Sequence, residues 1–306
     1  MATVLISGGN GLLGKHLCNL LQKKGFDVSV LSREKREHAT YKTYVWNVEK
    51  EEVDEEAILK ADYIIHLAGE GIADKRWTDK RKQEIIDSRV KSANLLLKKV
   101  KQLKKPIKAF VTASGVGYYG AVTNNKIYSE TDSPGNDFLA RTCVLWEAAA
   151  DEFALLGTRV VKIRTGIVLE KNSGFFTKLR LPVKLFCAAV FGNGRQFLPW
   201  IHIDDICAIY IKTIEDSEMA GAYNAVAPEH INQKQFTKEM CLAFKRPMLL
   251  PTVPTFLLKL IFGEMALIFL TGSRVNSEKI LKAGYQFKFT NVKGAINDLV
   301  YFFKPK

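Results

Sequence analysis

The chain of 306 residues lacks any apolar run long enough to cross a bilayer. Its most apolar stretch, Phe256–Leu270, is interrupted by Lys259, Gly263 and Glu264, and its 15 residues fall short of a spanning helix, which needs roughly 20. A buried or groove-lining helix is expected there. Cysteine is sparse and odd in number: Cys18, Cys143, Cys187, Cys207 and Cys241. No spacing among them suggests a metal site or a redox pair, so reduced thiols in a cytoplasmic protein are expected, without a metal. Repeats and low-complexity tracts are missing. The first residues enter a strand directly, which leaves no room for a signal peptide. Acidic residues are in deficit: 45 Lys and Arg stand against 32 Asp and Glu, a net charge of +13. The densest lysine cluster, Lys98–Lys105, carries no interleaved aromatics. It reads as the solvated end of a helix, and no nucleic-acid partner is expected.

What is present begins at the third residue. Thr3-Val-Leu-Ile-Ser7 reads as a short buried strand, Gly8-Gly-Asn-Gly-Leu-Leu-Gly14 as a turn, and Lys15–Leu21 as the start of an amphipathic helix. Strand, glycine turn and helix are the geometry of a dinucleotide-binding unit. Gly8 permits the tight turn. Gly11 lets backbone approach a pyrophosphate, and Gly14 lets helix and strand pack closely. Asn10, Leu12 and Leu13 complete the loop, and the helix N-terminus offers free N–H groups to phosphate.

Apolar runs then alternate with helical patterns. Strands are expected at Thr3–Ser7, Asp27–Leu31, Lys42–Trp46, Tyr63–Leu67, Ala109–Ala113 and Arg159–Arg164. Helices are expected near Gly11–Lys24, Glu55–Lys60, Asp79–Lys104 and Asp137–Leu156. This alternation implies an α/β fold, a Rossmann-type doubly wound parallel sheet with helices on both faces. After Arg164 the alternation fails, and a smaller, mainly helical C-terminal substrate lobe is expected. The division assigns residues 1–165 to the cofactor domain, with a return to its sheet within 200–228, and 166–199 and 229–306 to the smaller lobe.

The second strand ends in Ser32-Arg33, where an NAD-selective site usually places a carboxylate. A guanidinium there pairs with a 2′-phosphate that a carboxylate would repel. Lys35 and Arg36 add positive potential, and the basic balance of the chain attracts the extra phosphate. NADP is therefore the expected cofactor. Asn47, past the third strand, either bonds adenine or caps the following helix. Leu67-Ala68-Gly69 places small residues where backbone passes the cofactor. His66 reads as a core histidine.

Together these residues resemble an extended short-chain dehydrogenase/reductase. Gly71-Ile-Ala-Asp-Lys-Arg-Trp-Thr78, Asp87-Ser-Arg89, Ala113-Ser-Gly-Val-Gly-Tyr-Tyr-Gly120, Trp200-Ile-His-Ile-Asp-Asp205 and Arg246-Pro with Gly263-Glu-Met265 narrow the resemblance. They are similar to the atypical nucleoside-diphosphate-sugar epimerase-like family, with its C-terminal domain of unknown function. The resemblance implies NADP binding and two lobes. It brings no settled substrate, because a fold does not specify a reaction.

That superfamily uses Ser or Thr, a Tyr, and a Lys four residues after the Tyr. No Tyr in this chain is followed by Lys at that spacing. On the helix that should carry them, Phe138 stands at the Tyr position and Thr142 at the Lys position. Ser114 matches the usual Ser. Tyr118 or Tyr119 is the candidate for the missing phenol, Tyr118 preferred, with walls of the pocket as their other reading. Cys143 reads as packing. Glu147 reads as a surface or helix-pairing residue before a base. Leu198 stands where related epimerases place a pyrophosphate-binding Arg, and Arg195 is a candidate replacement. Arg76, Trp77, Arg81 and Arg89 form a second cationic group with a stacking ring, either for substrate or for ion pairs between lobes. His202 and Asp205 read as structural. A small substrate, anionic or sugar-like, fits these groups. The expected function is an NADP-dependent oxidoreductase or epimerase-like enzyme with an altered proton-transfer set. Its alternative is a non-catalytic NADP(H)-binding module. The oligomeric state is left open.

Overall fold

The computed structural model describes residues 1–34 and 40–301. In chain order the elements are β1 (Thr3–Ser7), α1 (Leu12–Lys23), β2 (Asp27–Ser32), β3 (Lys42–Asn47), β4 (Glu52–Val53), α2 (Glu55–Lys60), β5 (Tyr63–His66) and α3 (Asp79–Gln102). Next come β6 (Ala109–Gly115), β7 (Ile127–Tyr128), α4 (Phe138–Asp151), β8 (Arg159–Thr165), β9 (Ile167–Leu169), α5 (Gly174–Lys184), β10 (Trp200–His202), α6 (Ile203–Glu215) and β11 (Gly221–Ala225). The C-terminal part holds α7 (Gln233–Ala243), α8 (Thr255–Phe262), α9 (Leu267–Leu270), β12 (Arg274–Val275), α10 (Glu278–Lys282) and α11 (Val292–Tyr301).

Among the described residues the main sheet has eight strands in the order β11-β8-β6-β5-β1-β2-β3-β4. All its pairs are parallel except β3 with β4. The alternation of strand side chains explains the layers. Val4 and Ile6 of β1, with Val161 and Ile163 of β8, pack under α1 and α6. Leu5, Ile64, Phe110 and Val160 point the other way, into the layer of α2, α3 and α4. Both faces are covered, so β1 reads as an unbroken apolar run and not as an alternating one. The chain leaves β1 toward β2 on one side and later returns to β5 on the other. That reversal opens a crevice at the strand C-termini, where α/β sheets hold ligands.

The doubly wound sheet is as expected, and each expected strand and helix lies within a few residues of its observed counterpart. Trp200–His202 does not rejoin the main sheet. It pairs with β9 in a separate two-stranded ladder, and only β11 returns, at the edge beside β8. A third core forms around Phe176, Trp200, Phe236 and Ile296, beneath α5, α7 and α11. The apolar Phe256–Leu270 segment also departs from expectation. Within α8 only Leu258 is buried, and most of the helix faces outward. Among the described residues no helix is long and apolar enough to cross a membrane.

Candidate active site

The crevice is walled by two loops pressed together. Gly8 has φ +74°, and a β-carbon there would lie 2.8 Å from the Leu67 carbonyl carbon. Leu67 N–H donates to the Ser7 carbonyl at 3.0 Å, and Ala68 N–H to Ser7 Oγ at 3.4 Å. A β-carbon on Gly14 would strike the Gly8 carbonyl, so helix and strand meet at contact distance. A β-carbon on Gly11 would meet only the Gly8 carbonyl, at 3.2 Å, so the loop's outer side is open. Gly11 is also the N-cap of α1 and has no side chain to satisfy the helix's first N–H groups. An open cradle under unpartnered N–H groups suits a pyrophosphate.

Around this cradle, Asn10 Nδ2 donates to Ser32 Oγ at 3.2 Å, tying the glycine loop to the end of β2. Arg33 is exposed one residue further on. Lys35 and Arg36 lie outside the described residues. Asn47 does not cap the next helix: Asp54 does, accepting from Glu56 N–H at 3.0 Å. Asn47 Oδ1 accepts from Lys50 N–H at 3.1 Å and closes the β3–β4 turn, beside a surface groove of about 290 Å³. His66 is fully buried, with Ser7 Oγ 2.6 Å from Nδ1 and Ser92 Oγ 3.1 Å from Nε2. Burial pulls its pKa down to about 4. It is a neutral core residue supporting the two loops.

The far end of the crevice is built differently. Ser114, Arg164 and Asn224 are register partners across β6, β8 and β11, a polar row in an apolar sheet. Ser114 Oγ donates to Glu147 Oε1 at 2.7 Å. Arg164 clamps the same carboxylate with Nε and Nη2 at 2.8 and 2.9 Å. Its Nη1 donates to Tyr119 OH at 3.1 Å, and Tyr119 OH donates to Asn224 Oδ1 at 2.6 Å. Burial opposes the Arg164 charge, but the Glu147 carboxylate outweighs it and holds the pKa above its ordinary value. Burial pushes the Tyr119 phenol up to about 12.

Several expectations change here. Glu147 is no surface residue; it is 5 % exposed and occupied by Arg164 and Ser114. Tyr119 is 2 % exposed, its hydroxyl held inside the network, so it is not positioned as a free proton donor. Tyr118 is half-buried, with the Arg164 guanidinium 3.4 Å from its ring centroid. Among the described residues no hydrogen bond engages its hydroxyl. Cys143 is buried, and its thiol donates to the Gly115 carbonyl at 3.5 Å. Thr142 Oγ1 donates back to the Phe138 carbonyl at 2.8 Å, an ordinary helix contact. The Phe138 ring sits 4.8 Å from Trp77, edge to face.

The expected cationic group separates. Arg89 is buried, donating to the Ile85 and Glu70 carbonyls at 2.9 Å each, and its guanidinium lies 4.9 Å from the Trp146 ring centroid. Burial lowers its pKa to about 10. It braces the segment after β5. Trp77 is also buried, donating from Nε1 to the Ile72 carbonyl at 2.9 Å and packing with Met265. Arg81 pairs with Glu70 on that segment and with Glu84 one turn along α3. Arg76 stays exposed against Gly263, and Lys82 reaches Glu264 at 2.5 Å. The Gly71–Thr78 and Gly263–Met265 motifs therefore form one clasp between the α3 entry and the C-terminal part. Arg195 is exposed in its glycine turn, and Leu198 is buried. His202 caps α6, accepting from Asp204 N–H at 3.2 Å. Asp205 instead anchors a distant segment, accepting from Lys288 N–H, Phe289 N–H and Tyr285 OH.

Arg164 and Asn224 escaped the sequence reading. The available signal was an Arg and an Asn ending apolar strands, which is costly unless they are paired.

Comparison with known proteins places this geometry. The NAD dependent epimerase/dehydratase family matches residues 4–150, and a domain of unknown function, DUF1731, matches residues 253–299. The epimerase family protein YfhF of Bacillus subtilis is 32 % identical over 97 % of this chain and 97 % of its own. The mouse epimerase family protein SDR39U1 is 33 % identical over 97 % of this chain and 99 % of its own. The chain belongs to the NAD dependent epimerase/dehydratase family. A crystal structure of human SDR39U1 (isoform 2) with NADPH superimposes with a TM-score of 0.87 at 30 % identity, covering 98 % of this chain and 99 % of that one. A nucleoside-diphosphate sugar epimerase from Corynebacterium glutamicum superimposes at 0.80 and 30 % identity, but this chain spans only 58 % of it. The UDP-N-acetylglucosamine 4-epimerase of Bacillus cereus, at 15 % identity and 0.79, shares the fold. Membership of the epimerase family fits the glycine cradle and the Rossmann-type sheet. It also places the clasp residues Gly263–Met265 within the DUF1731 part of the fold.

Proposed function

We propose that this protein binds NADP(H) and carries out hydride chemistry between a carbonyl and a hydroxyl on a small anionic or sugar-like substrate. The observation that carries the reading is the cradle at Gly8–Gly14, with the exposed Arg33 at the end of β2. The pyrophosphate would lie on the N–H groups of Leu12 and Leu13, and Arg33 would take a 2′-phosphate. Leu67, Ala68 and Gly69 would pass the cofactor's far side. The human relative with NADPH supports this choice of nucleotide. When bound, the cofactor supplies the hydride.

The proton side rests on this chain's own groups. Phe138 has no titratable proton and Thr142 no positive charge, so the usual Tyr and Lys roles are replaced. Ser114 directs its proton to Glu147 and leaves a lone pair for a substrate hydroxyl. Tyr118 has the unengaged hydroxyl and is the acid/base residue. Arg76 and Arg195 are the exposed cations left to hold an anionic substrate.

The test is NADPH oxidation against a panel of carbonyl compounds and nucleotide sugars. Tyr118→Phe should lower kcat by about 10²- to 10⁴-fold, the usual worth of a general acid, and leave NADPH affinity unchanged. The second reading is a non-catalytic NADP(H)-binding module. It is favoured by the closure of the Ser114–Glu147–Arg164–Tyr119 network, which occupies most of the local polar groups. Tight NADPH binding with no turnover across the panel would select it.

A further inference from the structure

The outward side of α8 is not the only apolar surface in its neighbourhood. Phe256 and Leu260 are each 71 % exposed, and Ile261 is 55 % exposed. Leu185 and Phe186, just past α5, and Leu249, before α8, are exposed as well. These segments are joined. Val253 N–H donates to the Val190 carbonyl at 2.7 Å, and Gly192 N–H to the Val253 carbonyl at 2.9 Å. The Arg246 guanidinium lies 4.7 Å from the Phe186 ring centroid. Exposed apolar side chains thus stand on α8 and on the two segments tied together before it. Monomeric proteins seldom leave a large apolar face without a partner.

The two sequence stretches that supply these side chains are basic. No Asp or Glu occurs between Glu170 and Asp204, nor between Glu239 and Glu264. Those two stretches hold eight Lys and Arg and so supply eight of the chain's net thirteen positive charges. Lys245, Arg246 and Lys259 stand exposed at the patch itself. Among the described residues no carboxylate pairs with these three. Glu264, just past the end of α8, is already taken by Lys82. Exposed apolar side chains set beside Lys245, Arg246 and Lys259 are the pattern of a surface that lies on anionic lipid. A second copy of the chain would bring the same cations face to face. A nucleic acid would match the charge but leave Phe256 and Leu260 in water.

We propose that this face docks on an anionic lipid bilayer, resting in its headgroup region without crossing it. Co-sedimentation of the full chain with vesicles tests this, using phosphatidylcholine alone or mixed with phosphatidylglycerol. The protein should pellet with the mixed vesicles, be released by high salt, and stay in solution with phosphatidylcholine alone. Phe256→Glu with Leu260→Glu should lower the partition coefficient more than about tenfold, since two buried apolar anchors become charges. Lys245→Glu with Arg246→Glu should lower it by at least about tenfold. All four side chains are exposed, and unchanged melting temperature and NADPH affinity confirm that the variants fold.

Three results overturn the proposal. One is no pelleting with the mixed vesicles. Another is equal pelleting of wild type and the Phe256→Glu, Leu260→Glu variant, which reduces binding to diffuse charge. The third is a dimer in sedimentation velocity that this variant abolishes, which assigns the face to a second copy.

Discussion

The two ends of the crevice are made by different means. At the Gly8–Gly14 end the determinants are backbone: a positive φ at Gly8, a missing β-carbon at Gly14, and unpartnered N–H groups at the start of α1. At the Ser114 end they are side chains from three strands and one helix, held by Glu147 and Arg164. The first kind of site depends on space, and an added β-carbon at Gly8 or Gly14 has none. The second depends on charge balance in a buried place, where removing one partner strands the other.

Glu147→Met should show the largest effect. It leaves the buried Arg164 without its carboxylate, and breaking a buried pair costs about 3–5 kcal/mol. Urea denaturation should show a double variant, Glu147→Met with Arg164→Met, more stable than Glu147→Met alone. A double variant no better than the single one would mean that the pair is not balanced as described.

A pH profile probes the glycine end through His66. Its folded pKa, about 4, lies below the ordinary histidine value of 6.5, so the unfolded chain takes up the proton first. Stability from this group is complete above pH 6.5 and falls as pH drops from there toward 4. The loss amounts to about 3 kcal/mol, one proton's slope across that window. His66→Asn should flatten the slope by one proton. An unchanged slope would show that His66 takes up its proton as readily in the folded protein as in the unfolded chain.

Gly14→Ala follows, at about 1–3 kcal/mol for forcing a methyl group into a packed contact. It should also weaken NADPH binding in a fluorescence titration, because the Gly8 carbonyl must move. A variant with wild-type stability would show that the helix is not held at contact distance.

The same contrast explains what was legible in the sequence. The glycine loop could be read because its spacing lies within seven residues, and each glycine answers a local steric demand. The sheet could be read because Val4, Leu5 and Ile6 are apolar toward both faces. The Ser114–Arg164–Asn224 row could not be read, because its members lie far apart in sequence and meet only through strand register. Arg89 and Trp77 misled for a related reason. Both residue types suit a ligand, but the carbonyls of Ile85, Glu70 and Ile72 claim them first, and only packing reveals that. Glu147 looked like a surface residue, because the Ser114 and Arg164 side chains that hold its carboxylate come from strands distant in sequence. The exposed face of α8 reversed the expectation for an apolar stretch, since hydrophobicity alone does not say what covers it.

The proposed selection of NADP(H) rests on the loop after β1 and Arg33 after β2 acting together. The most direct measurement is fluorescence titration of wild type and Arg33→Asp with NADPH and with NADH. Wild type should prefer NADPH, and Arg33→Asp should lose about 10- to 150-fold in NADPH affinity, the worth of one charge-assisted contact at about 1.5–3 kcal/mol, with little loss for NADH. An equal loss for both nucleotides, or a wild type that prefers NADH, would contradict it.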